Sequence, residues 1–366
     1  MCLVYKLVWE NLKHRPVRTL LSSLAIGLGV TMMLTLVGVG EGMLREQEER
    51  TRGVGADIII RPSGSSVIGV APPNINEKLV AWATEQPHVA QATGVVIYPL
   101  GGVSTVHGVD LDALAKMSGG FTFLNGRPFR NTQEVIVDEY FAKEKRLKEG
   151  STIKILNRDW IVTGVFRGGK LTRMMLPKVV LQDVTANTGK VSVIYVKLDN
   201  PAYTQEVIAN LKRTLTENPI YSMDELASQF SVNSLPELKA FIGVVMTLSV
   251  LFGFLVVFLA MYTAILERTR EIGILKALGA GQGYVLGILL RETALLAVLG
   301  SMMGIAMSYV TRWLIATFIP ASMTQAIVYH WWPIASGITL VGALLGVLYP
   351  AIKAARQDAL ESLSYD

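Results

Sequence analysis

The run TLLSSLAIGLGVTMMLTLVGVG, from Thr19 to Gly40, contains no charged residue over 22 positions. At 1.5 Å per residue a helix of about 22 residues is about 33 Å long, which is enough to cross a hydrocarbon core about 30 Å thick. Lys13, Arg15 and Arg18 lie just before the run. Because cytoplasmic flanks of membrane spans collect Lys and Arg, we expect its N-terminal side to face the cytoplasm. The run is too long and too glycine-rich for a signal-peptide core, so it predicts a transmembrane helix.

Three further crossings are predicted toward the C-terminus. The stretch Ala240–Leu266 is uncharged and long enough for one crossing, and a third lies around Thr293–Thr311. The region Trp313–Ile352 is too long for a single crossing, and its cluster Tyr329–Pro333 is rich in aromatic residues that favour the headgroup interface. We therefore predict a short outer loop there and a fourth crossing from residue 333. Four crossings place both termini in the cytoplasm.

Between the first two crossings, from Glu41 to Glu237, the composition is that of a soluble domain. Charged residues and prolines are frequent, and apolar residues alternate in short runs. The pattern predicts strands at Asp57–Arg61, Gly94–Pro99, Val103–Val109, Glu134–Val137, Thr152–Leu156, Trp160–Phe166 and Val191–Leu198. It predicts helices at Asn76–Thr84, Glu139–Arg146 and Tyr203–Thr216. Strands mixed with single helices indicate an α+β domain.

The predicted fold class is a membrane α-helical protein of four transmembrane helices, with an α+β extracytoplasmic domain inserted between helices 1 and 2. The predicted order is an amphipathic helix on the cytoplasmic side (1–18), the first span (19–44), the extracytoplasmic domain (45–236), the second span (237–266), a cytoplasmic helix (267–282), the third span (283–313), a short outer loop (314–332), the fourth span (333–352) and a cytoplasmic tail (353–366).

Composition excludes several other classes. Only 17% of residues are charged, against roughly a quarter in typical soluble domains. The single cysteine, Cys2, cannot form an internal disulfide. The net charge of +5 is small, and the basic residues cluster beside apolar runs, which indicates membrane topology and not nucleic-acid binding. We expect lipid as a partner and no nucleic acid.

The segment ERTREIGILKALGA, Glu267–Ala280, lies between the second and third crossings. Read as a helix, Ile272, Leu275 and Leu278 form an apolar ridge at spacings of three, with Ile274 beside it. Gly279 is placed to end the helix. A short helix with an apolar ridge and charged flanks fits a groove on a partner protein. It equally fits a surface helix that rests on lipid headgroups, and amphipathicity alone does not separate the two.

This block and the following LLRETALLAVLGSMMGI, Leu289–Ile305, resemble the permeases of ABC transporters of the MacB/FtsX/LolC type. Further segments are similar to the same family and fall in its order: GVGADIIIRP (Gly53–Pro62), NGRPF (Asn125–Phe129), EVIVD (Glu134–Asp138), LKEGSTIKI (Leu147–Ile155), WIVTGVF (Trp160–Phe166) and YPAIKAARQDALESL (Tyr349–Leu363). The similarity covers nearly the whole chain, although Asp358 stands where the family commonly has proline.

The resemblance implies a homodimer, or a pair with a related permease, bound to two copies of a cytoplasmic ABC ATPase, with a periplasmic adaptor as a further candidate partner. It implies a multi-pass protein of the inner membrane that works by mechanotransmission: the ATPase pair closes on ATP, and the outer domains change posture without substrate passing between the helices. By this analogy the helix docks on the ATPase through Glu267, Arg268, Arg270, Glu271, Ile272, Leu275, Lys276, Leu278 and Gly279. The tail Lys353–Leu363 is expected close to that contact.

No phosphate-binding loop of the form G-x-x-x-x-G-K-[ST] occurs in the sequence. We therefore expect no enzyme activity and no bound cofactor for this chain alone, with ATP-Mg used by the partner ATPase. The leading function is export or extraction of an amphipathic drug, peptide, lipid or lipoprotein. The alternative is a regulatory permease of the FtsX kind, which transports nothing and signals the state of the ATPase to an extracytoplasmic enzyme.

Individual residues carry further predictions. Arg291 and Glu292, at the start of the third crossing, are expected near the inner interface, because charges at mid-membrane are costly. Small residues at spacings of four let helices pack closely, and Gly27 and Gly38 are the predicted dimer contacts.

Four scattered histidines lack other ligands at metal-site spacing, so no zinc site is expected. Ser104, His107 and Asp110 read as strand and turn residues and not as a catalytic triad. Met174 and Met175 fit a packed core better than an apolar lip for a ligand.

Overall fold

The computed structural model of the protein describes residues 16–65, 73–101, 104–229, 236–267, 269–318 and 324–356. Its helices are α1 (Pro16–Arg52), α2 (Lys78–Thr84), α3 (Leu111–Ser118), α4 (Glu139–Lys145), α5 (Lys178–Val184), α6 (Thr204–Thr214), α7 (Met223–Ser228), α8 (Pro236–Glu267), α9 (Thr269–Ala277), α10 (Gln282–Phe318) and α11 (Trp331–Arg356). Its strands are β1 (Ile58–Ile60), β2 (Ile75–Asn76), β3 (Val89–Gly101), β4 (Ser104–Val109), β5 (Phe123–Gly126), β6 (Glu134–Asp138), β7 (Thr152–Ile155), β8 (Arg158–Phe166), β9 (Met174–Pro177), β10 (Lys190–Val191), β11 (Val193–Leu198) and β12 (Ile220–Ser222).

The chain divides into two compact units. Among the described residues, the helical unit comprises 16–42, 236–318 and 325–356, and the sheet unit comprises 43–229 and Thr324. The predicted amphipathic segment 1–15, the residue Arg268 and the tail 357–366 lie outside the described residues.

Four helices in the described part of the chain are long and apolar enough to cross a membrane: α1, α8, α10 and α11. Since the sheet lies between α1 and α8 in the chain, the predicted fold class is confirmed. α1 continues to Arg52, beyond residue 44, where the first membrane span is predicted to end, and the position of that end within the helix stays a prediction. The sequence after Gly40, EGMLREQEERTR, is rich in strong helix formers and extends the helix beyond the apolar run.

A seam of small residues joins α1 to α10. A Cβ atom added to Gly27 would lie 2.9 Å from the carbonyl oxygen of Gly300, so the two backbones are in close contact. The Thr31 hydroxyl donates to the carbonyl oxygen of Gly304 at 3.1 Å. Close approach of backbones with hydrogen bonds across the seam is the usual way in which membrane helices associate.

The second span, α8, packs on α11 and leaves most of its surface uncovered by the described chain. A Cβ atom on Gly346 would lie 2.8 Å from the carbonyl oxygen of Phe254, and Val257 and Val347 are buried. The other face of α8 carries exposed apolar side chains at spacings of three and four: Phe241, Val244, Leu248, Leu251, Leu255 and Leu259. This face is available to lipid or to another protein.

The sheet unit is built on a mixed sheet in the order β12-β1-β11-β3-β4-β9-β6-β8-β5, with β7 paired to β8. The pairs β4/β9 and β6/β8 are parallel, and the other pairs of this sheet are antiparallel. Side chains of one strand alternate between two apolar clusters. Val135 and Val137 belong to one cluster and Ile136 to the other. The first cluster is covered by α2, α4, α5 and α6, and the second by α3 and α7, so both faces of the sheet are buried.

All seven predicted strands and all three predicted helices coincide with observed elements. The helices α3, α5 and α7 were not predicted, and neither were β2, β5, β9 and β12. The sequence contains both end signals of α3, Asp110 before its first residue and Gly119 after its last. The Asp110 carboxylate accepts from the Ala113 N–H at 3.1 Å as an N-cap, and Gly119 ends the helix with φ of +73°.

Candidate coupling site

The segment between α8 and α10 is a short helix, α9, that ends in a glycine turn. The Gly279 N–H donates to the carbonyl oxygen of Lys276 at 2.9 Å, and the Ala280 N–H donates to that of Leu275 at 3.0 Å. These two bonds form a Schellman motif. Gly279 has φ of +93°, a left-handed conformation that costs about 1–2 kcal/mol for a residue with a Cβ atom. The turn therefore fixes where α9 stops and where α10 begins.

The inward side of α9 holds it against the helical unit. Ile272 is 7% exposed and belongs to an apolar cluster that includes Val285 and Ile288 of α10. Leu275 is half-buried and lines a small cavity of about 70 Å³, together with Met261 of α8. The helix is therefore packed into the helical unit by its apolar side chains.

The outward side of α9 presents a second apolar group. Leu278 is 81% exposed and Ile274 is 46% exposed, and a spacing of four places them next to each other. Arg270 and Ala277, on the same face, are also exposed. We call these four residues, Arg270, Ile274, Ala277 and Leu278, the docking face.

The predicted ridge of Ile272, Leu275 and Leu278 is wrong as a single contact surface. Each step of three residues on a helix of 3.6 residues per turn rotates the side chain by about 60°, so Leu278 points about 120° away from Ile272. The structure accordingly buries Ile272 in the helical unit and exposes Leu278. Ile274, which the sequence placed only beside the ridge, belongs to the exposed face.

Lys276, whose predicted contact with the ATPase stays a prediction, also contacts its own chain. Its ammonium group donates to the carbonyl oxygen of Ala355 at 2.8 Å, in the last turn of α11. A cation is favourable at the C-terminal end of a helix, where carbonyl groups lack partners within the helix. The residue predicted to contact a partner is therefore engaged with its own chain, where it joins α9 to α11.

The charged residues around α9 divide between surface and interior. Glu267, at the end of α8, and Glu271 are exposed. Glu292 is 5% exposed and lines the small cavity with Glu271, whereas the neighbouring Arg291 is exposed. The expected position of Arg291 and Glu292 at the inner membrane interface stays a prediction.

Gly27 and Gly38, the predicted dimer contacts, make contacts within the chain. Gly27 faces α10, as described above. A Cβ atom on Gly38 would lie 2.6 Å from the carbonyl oxygen of Ala326, whose N–H donates to the Gly38 carbonyl oxygen at 2.8 Å. Both glycines allow close packing of α1 within one molecule, and a dimer contact at either position stays a prediction.

The candidate residues His107, Met174 and Met175 lie in the sheet unit. No group of three His, Cys, Asp or Glu residues in the described part of the chain could hold a metal ion. His107 is buried, and burial followed by the charge of Arg50 lowers its pKa to about 3. Asp110 caps α3 and is not an orienting partner of His107. Met174 and Met175 are at most 2% exposed and belong to the core, as expected.

Residues 19–214 match the family described as the MacB-like periplasmic core domain, and residues 243–359 match the FtsX-like permease C-terminal domain. The chain belongs to the MacB/FtsX family of ABC transporter permeases. This permease is accordingly a multi-pass protein of the inner membrane.

Curated relatives of the permease include proteins named as exporters. It is 26% identical to the macrolide export ATP-binding/permease protein MacB of Burkholderia cenocepacia, over 99% of the chain and 57% of the relative. It is 24% identical to the protein of that name from Escherichia coli, over 97% of the chain and 59% of the relative. It is 25% identical to the probable syringafactin export ATP-binding/permease protein SyfD of Pseudomonas syringae, over 99% of the chain and 58% of the relative. The permease thus spans less than two thirds of the length of these relatives.

Two solved structures resemble part of the permease. One is the periplasmic region of MacB from Actinobacillus actinomycetemcomitans, with a TM-score of 0.38 and 16% identity, over 49% of this chain and 94% of that one. The other is the extracellular domain of the ABC-type transporter YknZ from Gram-positive bacteria, with a TM-score of 0.35 and 14% identity, over 45% of this chain and 98% of that one.

Proposed function

We propose that this permease is the membrane component of an export or extraction system in which a cytoplasmic ATPase drives movements of the sheet unit. The observation that carries the proposal is the docking face on α9. An exposed apolar pair on a helix that is packed and capped on its other side is typical of a surface that a partner protein covers.

The construction of α9 suits the transmission of force. Ile272 packs it against the helical unit, Gly279 fixes its end, and Lys276 joins it to α11. A force applied to Leu278 by a partner is therefore transmitted to α8, α10 and α11, because α9 is packed against these helices and is not a flexible loop. Under this proposal the docking face and both chain termini lie in the cytoplasm, and the sheet unit lies on the other side of the membrane.

ATP binding is assigned to the partner. The 366 residues contain no G-x-x-x-x-G-K-[ST] loop, so the nucleotide and its Mg²⁺ are held by protein outside these residues. We propose two ATPase copies for two copies of the permease. The exposed apolar face of α8 is the surface that supports pairing.

The cargo is proposed to be amphipathic and to be handled on the outer side, with a periplasmic adaptor as a further partner. The names of the relatives, which include macrolide and syringafactin exporters, support an export role. They do not distinguish drugs, peptides, lipids and lipoproteins for this chain.

The test uses the full chain in lipid nanodiscs with its ATPase. Leu278→Asp is expected to weaken ATPase binding at least about ten-fold, because an apolar anchor is replaced by a charge in a contact without water. Leu278→Ile, which keeps an apolar side chain at the same position, is the matched control and should bind normally. Equal binding by both variants would overturn the assignment of the docking face.

The orientation is tested separately by thiol labelling. In a Cys2→Ser background, Leu278→Cys should react with a membrane-impermeant maleimide in inverted membrane vesicles, which expose the cytoplasmic face. It should not react in vesicles that expose the outer face. Labelling from the outer face would overturn the proposed function as a whole.

A further inference from the structure

The last two turns of α1 are held in the sheet unit by one loop, residues 167–173, which we call the clasp. The Arg173 guanidinium lies 2.6 Å from the Glu46 carboxylate. The Leu171 N–H donates to the carbonyl oxygen of Arg50 at 3.1 Å, and the carbonyl oxygen of Gly169 fills the space where Gly53 would carry a Cβ atom. Glu46, Arg50 and Gly53 are spaced by four and three positions, so the clasp contacts one face of the helix along two turns.

The charges in this contact are largely shielded from water. The side chains of Glu46 and Arg173 are 13% and 14% exposed. The Arg50 side chain hydrogen-bonds to Glu46 and lies 3.6 Å from Asp138, which is 1% exposed at the end of β6. Removing one member of a buried ionic group leaves an uncompensated charge, so such a group strongly favours one arrangement of its parts.

The clasp is also tied to the rest of the sheet unit. The Lys170 ammonium group donates to the carbonyl oxygen of Ser118 at 2.7 Å, at the end of α3. The Gly168 N–H donates to the Glu139 carboxylate at 3.1 Å, at the start of α4. The loop then enters β9, which lies between β4 and β6 in the sheet. A displacement of α1 at Glu46 thus has a direct path to β9 and, through Arg50 and Asp138, to β6.

A second ion pair on the same helix has none of these properties. Arg52 pairs with Asp224, but their side chains are 49% and 86% exposed. Exposed pairs contribute little because water and salt screen them. The contrast shows that a buried ionic contact on α1 is a feature of the Glu46 face and not a general consequence of a charged helix end.

We propose that the clasp is the joint through which movement of the first transmembrane helix reaches the sheet, with Glu46 and Arg173 as positioning residues for coupling. The inference rests on the proposed function, since it needs an ATP-driven movement to transmit. Beyond the proposed function, the inference names the residues of the sheet unit that receive the movement of α1.

The experiment compares hydrogen–deuterium exchange of β6 and β9 in the permease–ATPase complex, with and without ATP and vanadate. The variant is Glu46→Gln/Arg173→Gln, and Asp224→Asn is the control for the exposed pair. We expect the nucleotide-dependent change in exchange to fall about five-fold in the double variant, at the lower end of the usual range for coupling between sites. ATPase binding should be unchanged, as should the response of Asp224→Asn.

A rescue variant separates coupling from folding. In a Cys2→Ser background, Glu46→Cys/Arg173→Cys should lose the response, and joining the two thiols with a short bismaleimide should restore it. A normal response in the Gln double variant, or a lost response that cross-linking fails to restore, overturns the clasp while the proposed function stands. A wild-type complex with no nucleotide-dependent change in the sheet overturns both.

Discussion

The Lys276 ammonium group donates a hydrogen bond of 2.8 Å to the carbonyl oxygen of Ala355, although 79 positions separate the two residues in the chain. The bond joins the short helix that carries the docking face to the last turn of the fourth span. It gives a basic residue of the coupling segment a role within the chain, and it makes the position of α9 depend on α11.

The first prediction concerns this bond. Lys276→Met keeps the length and apolar stem of the side chain but removes the donor. A hydrogen bond to a charged group contributes about 1.5–3 kcal/mol, so local opening of α9 should become about ten-fold more frequent or more. The measurement is hydrogen exchange of residues 269–280 in nanodiscs. Lys276→Arg, which retains a donor, should exchange like the wild type, and unchanged exchange in Lys276→Met would show that the bond does not hold α9.

The second prediction separates the two sides of α9. Ile272→Ala should lower the free energy of unfolding by about 2–5 kcal/mol, because it leaves a cavity in a packed cluster. Leu278→Ala should change it by less than about 0.5 kcal/mol, since that side chain is 81% exposed. Thermal unfolding of the purified permease in detergent measures both. Similar losses for the two variants would contradict the assignment of inward and outward faces.

The sequence predicted this site in part. It located the helix, its glycine end and its apolar residues, because those depend on local composition. It did not predict which apolar residues are buried within the chain and which stay exposed, because Ile272 and Leu278 differ only in what α8 and α10 place beside them. For the same reason the sequence could not show that Lys276 reaches Ala355, which depends on where α11 ends.

The distinction between local and long-range features also explains which parts of the fold were predicted from the sequence and which were not. Spans and buried strands were predictable from uncharged runs and from alternation, as in Glu134–Val137. The strand β9, Met174–Pro177, was missed because four residues carry too little pattern, and its place between β4 and β6 is a long-range property. Small residues on α1 indicated close packing correctly, but only the structure identifies the neighbour of Gly27 as α10.

The third prediction tests that neighbour. Gly27→Ala would place a Cβ atom 2.9 Å from the carbonyl oxygen of Gly300, so the helices must separate or shift. We expect a loss of about 1–3 kcal/mol in stability, as is usual for overpacking. The matched control is Gly243→Ala on α8, where no atom lies within 4 Å of the added Cβ and the change should be neutral or slightly stabilising. Thermal unfolding in detergent measures both variants. A change in the state of association with unaltered stability would instead return Gly27 to the predicted dimer contact.

The fourth prediction concerns the pH dependence of the sheet unit. Burial raises the pKa of Asp138 from an ordinary value of 3.8 to about 6, against the hydrogen bond from the Phe141 N–H and the positive charges of Arg50 and Arg173, which lower it. The folded state therefore holds the proton more tightly than the unfolded state. The resulting stability is fully present below about pH 4 and is lost as the pH rises through about 6.

A difference of about 2 pKa units corresponds to about 3 kcal/mol, so the Asp138 carboxyl should contribute a loss of up to that amount between about pH 4 and 6. Buried His107, whose pKa is lowered to about 3, contributes a gain in stability over the same range, so the loss is read from the difference between wild type and an Asp138 variant. Asp138→Asn should abolish this loss, because an amide oxygen can still accept from the Phe141 N–H without carrying a charge. The measurement is the protection of the β6 amides in hydrogen exchange, corrected for intrinsic rates. Asp110→Asn, at the corresponding capping position of α3, is the control for the amide itself. If wild type and Asp138→Asn follow the same pH profile, the buried carboxyl is not the group that titrates.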